Sequence, residues 1–238
     1  LARQFTAEDH GLALMARRGD QLDQVASQIR ANGGRVLTLV GDVSDQASVR
    51  NSVAKCEAEL GPVDRLICNA GVGAPTPASQ FSGAAFETVF GTNVVGIAYL
   101  IEAVLPGMLQ RRSGHIVGIS SLGAWRGLPR QGAYCGSKAA VSTMLESLRV
   151  EVRRHGISVT TIYPGFVKTP MTDSHPFRMP FLMEADDAAR RMYRAICKRR
   201  RTYAFPWQMT LMMRCVKVLP VPLYDRLARV MLKMQQSS

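Results

Sequence analysis

Six short apolar runs alternating with longer amphipathic stretches constrain this chain more than any single residue does. The runs are 11–16, 35–40, 63–68, 115–119, 157–162 and 202–205. Helical periodicity occupies about 19–32, 45–60, 83–110, 131–154 and 184–198, and a helical tail closes the chain. Residues 1–9 have the pattern of the end of a helix. A half-buried strand alternates apolar and polar residues, whereas these runs are mostly apolar without that alternation, so both faces must be covered. Helices crossing between parallel strands supply that cover. The pattern therefore predicts a doubly wound α/β parallel sheet whose ligand lies beyond the carboxyl ends of the strands. With 238 residues, 47% of them hydrophobic, one domain with a large core is the simplest arrangement, although length alone would allow two. The sequence divides into a domain over 1–205 and a helical extension over 206–238.

The chemistry concentrates where the fourth run ends. Ser120 and Ser121 close the run beginning at Gly114, and Tyr134 and Lys138 stand four apart in the helix that follows. Positions four apart share one helical face. A strand end thus presents a hydroxyl toward a tyrosine whose helical neighbour is an ammonium. A tyrosine titrates near 10, so bringing it to neutrality needs about 4 kcal/mol. A cation roughly 5 Å away at an effective dielectric of about 20 supplies about 3 kcal/mol. Lys138 is therefore expected to lower the Tyr134 pKa and make its hydroxyl a usable proton donor and acceptor.

This Ser…Tyr-x-x-x-Lys arrangement resembles that of the short-chain dehydrogenase/reductase family, over residues 1 to about 205. The resemblance implies a Rossmann-type sheet and an oxidoreductase that interconverts a carbonyl and an alcohol with a nicotinamide cofactor. It implies that Tyr134 exchanges the proton, Ser121 orients the substrate oxygen, and Lys138 holds the nicotinamide ribose. Asn93, in Thr-Asn-Val-Val-Gly, matches the family's helical asparagine, which supports the lysine through a water. Asp42-Val43 falls where the family contacts the adenine ring, and Asn69-Ala70-Gly71 where the backbone approaches the cofactor closely. Pro164-Gly165 with Val167 and Thr169 matches the segment along the nicotinamide. There the Val167 backbone would bond the carboxamide, assisted by the Thr169 hydroxyl. Taken singly, Asn-Ala-Gly and Pro-Gly are also ordinary turns and Asp42 an ordinary helix cap.

Charge favours one cofactor. In dinucleotide folds an acid at the end of the second strand bonds the ribose 2′-hydroxyl, and an arginine there accommodates a 2′-phosphate. The run 11–16 leads into Arg17-Arg18 with no carboxylate. Arg17 can form a bidentate fork to phosphate, which favours NADP over NAD. Arg18 faces solvent or shares the phosphate. The family's first strand and glycine-rich turn, which would cradle the pyrophosphate, are not among these residues, and further residues upstream of Leu1 are expected. Strands 11–16 and 63–68 are then expected to flank a strand position that this chain does not fill.

The net charge is +12, with basic pairs at helix ends and a dense run at 198–201. Helix-end and solvent-face cations need no nucleic acid, so none is expected as a partner. Five cysteines without paired spacing point to a reduced, cytoplasmic protein, and the scattered histidines to no metal. No apolar stretch is read as long and uncharged enough to span a bilayer. In the extension, Leu223, Leu227, Val230, Met231 and Met234 share one helical face, and Arg226, Arg229 and Lys233 lie on the other. Packing on its own core or in a homo-oligomer is the favoured role, with peripheral membrane contact as the alternative. The segment 166–183, with Met171, Phe177, Met179, Phe181 and Leu182, has the character of a mobile apolar lid, which favours a hydrophobic carbonyl/alcohol substrate. The sequence also leaves room for a non-catalytic scaffold or binding protein that retained this fold.

Overall fold

The computed structural model of the chain describes residues 1–5, 10–173 and 179–236. Parallel strands alternate with helices as the apolar runs require. In order, they are β1 (Gly11–Ala16), α1 (Gly19–Ala31), β2 (Arg35–Val40), α2 (Gln46–Leu60), β3 (Arg65–Cys68) and α3 (Gly83–Phe90). There follow α4 (Gly96–Arg111), β4 (Gly114–Ile119), α5 (Gly132–Val152), β5 (Ile157–Pro164) and α6 (Pro170–Asp173). The chain closes with α7 (Ala185–Cys197), β6 (Thr202–Phe205), α8 (Trp207–Val218) and α9 (Val221–Gln236). The fold is α/β of the Rossmann type, with helices on both faces of parallel strands.

Two differences from the sequence pattern are informative. Residues 83–111 are not one uniform helix: α3 and α4 are joined by a π-helical turn, Gly91–Val95, which carries Asn93. Such wide turns shift the side chains that follow and recur at functional sites. Residues 1–9 give a 3₁₀ turn, Ala2–Phe5, in place of the end of an α-helix, and 6–9 lie outside the described residues.

Gly83–Arg111 is also, by length and mean hydropathy of 1.6, apolar enough to cross a membrane, contrary to the sequence expectation. Its apolar side is already used. Ile97, Ile101, Val104 and Met108 pack into the core with Leu66, Ile116, Val141 and Leu145. That side needs no lipid to cover it.

The strands fall into two hydrogen-bonded groups, β1-β2 and β3-β4-β5-β6. No ladder joins β1 to β3, so the two do not pair directly, in keeping with the expected unfilled position between them. Side chains span the division. Leu12 of β1 packs against Ala26, Ile29 and Val36 of its own half, and also against the cluster of Phe5, Val117, Ile162 and Phe205. Along β4 the pleat sends alternate residues to opposite layers: Ile116 meets α4 and α5, while Val117 meets the α7 layer. Close approach elsewhere is fixed by small residues. A Cβ on Gly96 would lie 2.9 Å from the Val43 carbonyl oxygen, which draws α4 tightly to the end of β2.

Candidate active site

Within each group the strands run parallel, and the expected site residues follow the carboxyl ends of the strands or lie in the π turn and α5. Ser121 leaves β4 in extended conformation, and its Oγ accepts from the Gly123 amide at 3.0 Å. This bond turns the chain into the segment 122–130 and fixes the hydroxyl at the strand end. The Tyr134 ring and the Ser121 hydroxyl meet at Gly123, where a Cβ would lie 3.4 Å from Ser121 Oγ and 3.8 Å from Tyr134 Cε1. Lys138, only 4% exposed, donates from Nζ to the Ile119 carbonyl at 2.8 Å. Its ammonium lies 5.9 Å from the centre of the Tyr134 ring.

Asn93 is fully buried and forms a hub. Its Oδ1 accepts from the Val72 amide at 2.7 Å, and its Nδ2 donates to the Val72 carbonyl at 2.9 Å and to Ser137 Oγ at 2.9 Å. Ser137 in turn donates to the Tyr134 carbonyl at 2.8 Å. The π turn is thus tied both to the loop after β3 and to the tyrosine helix. Between them passes Gly71, where a Cβ would lie 3.2 Å from Lys138 Nζ and 3.3 Å from Asn93 Oδ1. A glycine lets the backbone run this close without displacing the ammonium or the asparagine by a few tenths of an ångström.

The electrostatics correct the sequence argument. Burial pushes the Tyr134 hydroxyl above its ordinary value, and the nearby Ser121 hydroxyl only partly offsets this. Burial also lowers Lys138 to about 8, with Cys68 acting in the opposite direction. Lowering of Tyr134 by its lysine neighbour is not what governs the pair. The low-dielectric setting penalises both charged forms and outweighs the attraction assumed from spacing alone. Tyr134 is consequently protonated at neutral pH.

The remaining expected residues divide into two ends. At one, Arg17 Nη1 lies 3.7 Å from Asp42 Oδ2, on side chains that are 66% and 35% exposed. Asp42 is not the helix cap; Asp45 caps α2 by accepting from the Ala47 amide. The Asp42 carboxyl is lowered mainly by the backbone and hydroxyl of Ser44, with a smaller contribution from Arg17. Val43 is buried under Gly96, and Arg18 is exposed at the start of α1. At the other end, Pro164 closes β5, and the Gly165 amide donates to the Phe205 carbonyl at 2.7 Å. Val167 forms a parallel bridge with Met183, and its carbonyl accepts from Thr172 Oγ1 at 2.9 Å. The Thr169 amide also bonds Thr172 Oγ1, at 2.8 Å. Asn69 and Ala70 follow β3 directly, with Asn69 exposed. Of the lid residues, Phe177 lies outside the described residues, and Phe181 and Leu182 are 47% and 48% exposed.

Residues 1–177 match the short chain dehydrogenase family. The chain belongs to that family. It is 42% identical to an uncharacterized oxidoreductase of Myxococcus xanthus over 230 residues, 92% of this chain and 91% of the relative. A short-chain dehydrogenase/reductase from Burkholderia phymatum in complex with NAD superimposes with a TM-score of 0.81. It is 26% identical, and the match covers 90% of this chain and 86% of that one. An actinorhodin polyketide ketoreductase with NADPH gives 0.70 at 31% identity, covering 73% and 67%. The protein is accordingly an NAD(P)-dependent oxidoreductase.

The residues of this short-chain dehydrogenase fit such a dinucleotide at both ends. The Gly71 passage leaves the Lys138 ammonium close to open backbone, and Arg17 and Asp42 follow the carboxyl ends of β1 and β2. Among the described residues, no glycine-rich turn at a helix N-terminus is assigned to the pyrophosphate between them.

Several participants escaped the sequence analysis. Ser120 Oγ donates to the Lys138 carbonyl at 3.0 Å and pairs with Ser142 Oγ at 2.8 Å, fastening α5 to β4. Ser137, Thr172 and the Val72 and Ile119 backbones also had no distinctive signal, because backbone acceptors carry none in sequence.

Asn93→Ala leaves the Val72 amide and carbonyl without their partner in a buried site, which costs about 1–3 kcal/mol for each group. A urea unfolding curve is expected to shift to lower stability by about 2 kcal/mol or more. An unchanged midpoint would contradict the hub.

Proposed function

We propose that this chain is an NADP-dependent oxidoreductase that interconverts a carbonyl and an alcohol on a hydrophobic substrate. The observation that carries the proposal is the convergence of three side chains: Tyr134 and Ser121 meet at Gly123, and the buried Lys138 ammonium lies 5.9 Å from the Tyr134 ring. When bound, the nicotinamide supplies or accepts the hydride. Ser121 orients the substrate oxygen toward Tyr134, which gives that oxygen a proton in carbonyl reduction and takes one back in the reverse direction. Lys138, whose ammonium lies beside Gly71, would hold the nicotinamide ribose, and Asn93 fixes the Val72 backbone next to it.

Two further observations support the finer parts of the proposal. Next to Ser121 the chain enters an apolar cluster: buried Leu122, Met209 and Met213 pack with the partly buried Trp125, Leu128, Tyr163 and Phe166. A hydrophobic substrate suits such apolar surroundings. Arg17 is exposed at the end of β1 and only loosely paired to Asp42, so its guanidinium can turn to a 2′-phosphate.

Tyr134→Phe is expected to abolish turnover while leaving folding and NADPH affinity nearly unchanged, measured by steady-state assay beside cofactor titration. Wild-type rates in that variant would overturn the mechanism, and turnover absent from the unmutated protein over a broad panel of apolar ketones would favour a scaffold instead. Arg17→Ala is expected to weaken NADPH binding by about tenfold or more and NADH binding little, since a charge-assisted bond to phosphate is worth about 1.5–3 kcal/mol. Equal affinities of the unmutated protein for the two cofactors would contradict the NADP assignment.

A further inference from the structure

The helical extension packs through one face and presents a second, apolar face to solvent. On α8 the inner face is Met209 and Met213, buried against the segment that follows Ser121. Trp207, Leu211 and Val218 lie on the opposite side at helical spacing, and they are 69%, 56% and 79% exposed. On α9 the inner face is Ala228, 8% exposed, together with Tyr224, whose hydroxyl donates to the Gly127 carbonyl. Leu223, Leu227 and Val230, spaced i, i+4, i+7, form its outer stripe at 49%, 39% and 56% exposure. The inner contacts thus account for the packing expected of the tail and leave the outer stripes without a protein partner.

Charge indicates what covers those stripes. Residues 206–238 hold five cations, Arg214, Lys217, Arg226, Arg229 and Lys233, against one acid, Asp225. A second copy of this chain docked face to face would set those cations against each other, because an isologous interface repeats the same patch on both sides. An anionic bilayer offers apolar depth to the stripes and negative headgroups to the flanking cations, which is how interfacial helices bind. We propose that α8 and α9 dock the protein on an anionic lipid surface through Trp207, Leu211, Val218, Leu223, Leu227 and Val230. The docking helix is anchored beside the candidate site, since the inner face of α8 packs on Leu122, the residue after Ser121. Docking stands independently of the substrate and cofactor assignments, and it is measured without turnover.

The test is flotation of the full chain with vesicles of phosphatidylcholine alone and of phosphatidylcholine with an equal part of phosphatidylglycerol. Binding is expected only with phosphatidylglycerol and is expected to weaken as salt rises. The exposed-position variants Leu227→Ser/Val230→Ser and Arg226→Glu/Arg229→Glu should each lower binding at least about tenfold, with unchanged circular dichroism. In a Trp125→Phe background, the Trp207 emission should shift to the blue on the phosphatidylglycerol vesicles. Protein that stays in solution with both vesicle types would overturn the proposal. So would a dimer, seen by light scattering, that the Leu227→Ser/Val230→Ser pair dissociates, since a second copy would then occupy the face.

Discussion

The site depends on a buried lysine held against a strand carbonyl. Lys138 is almost wholly removed from water, and its ammonium is kept by the Ile119 oxygen at 2.8 Å. Taking a cation out of water is costly, and one neutral acceptor offsets only part of that cost. The rest of the arrangement limits what the ammonium can do. Gly71 keeps side-chain bulk away from it, Asn93 fixes the Gly71–Val72 backbone from behind, and Ser120 fastens the carbonyl of Lys138 itself to β4. A cation kept in so dry a place is poised to meet a polar group that arrives with a ligand.

The same dryness explains why the pair does not behave as spacing suggested. An ammonium near a phenol lowers the phenol's pKa on balance only where their attraction exceeds the cost of desolvating the phenolate. Here burial penalises the phenolate of Tyr134 and the ammonium of Lys138 together. The result is a protonated tyrosine beside a lysine that loses its proton easily. Cys68, buried in the same region, is pushed up to about 12 and remains a neutral thiol.

Much of this was legible in the sequence because it rests on period and order. The runs at 35–40 and 202–205 became β2 and β6 with those boundaries, since a short apolar run between turn signals has few other fates. The trio was legible because side chains carry it. What stayed hidden was carried by backbone and by local deviation. No periodicity announces that Gly91–Val95 widens into a π turn, although that turn aims Asn93 at Val72. The apolar tail was visible as amphipathic, but only the fold shows that Met209, Met213 and Ala228 face inward while Trp207, Leu227 and Val230 do not.

The state of Lys138 tests this account most directly. Its folded pKa of about 8 lies below the ordinary 10.5, so the folded state gives up the proton first. Between those two values the unfolded chain binds more protons, and stability should rise with pH across that window. The direct measurement is an NMR titration of the Lys138 side chain in selectively labelled protein, with Lys138→Met identifying the resonance. A midpoint near 8 is the predicted result. A midpoint near 10.5 would contradict the account, because it would mean that the ammonium is solvated and that burial does not set the chemistry of the site.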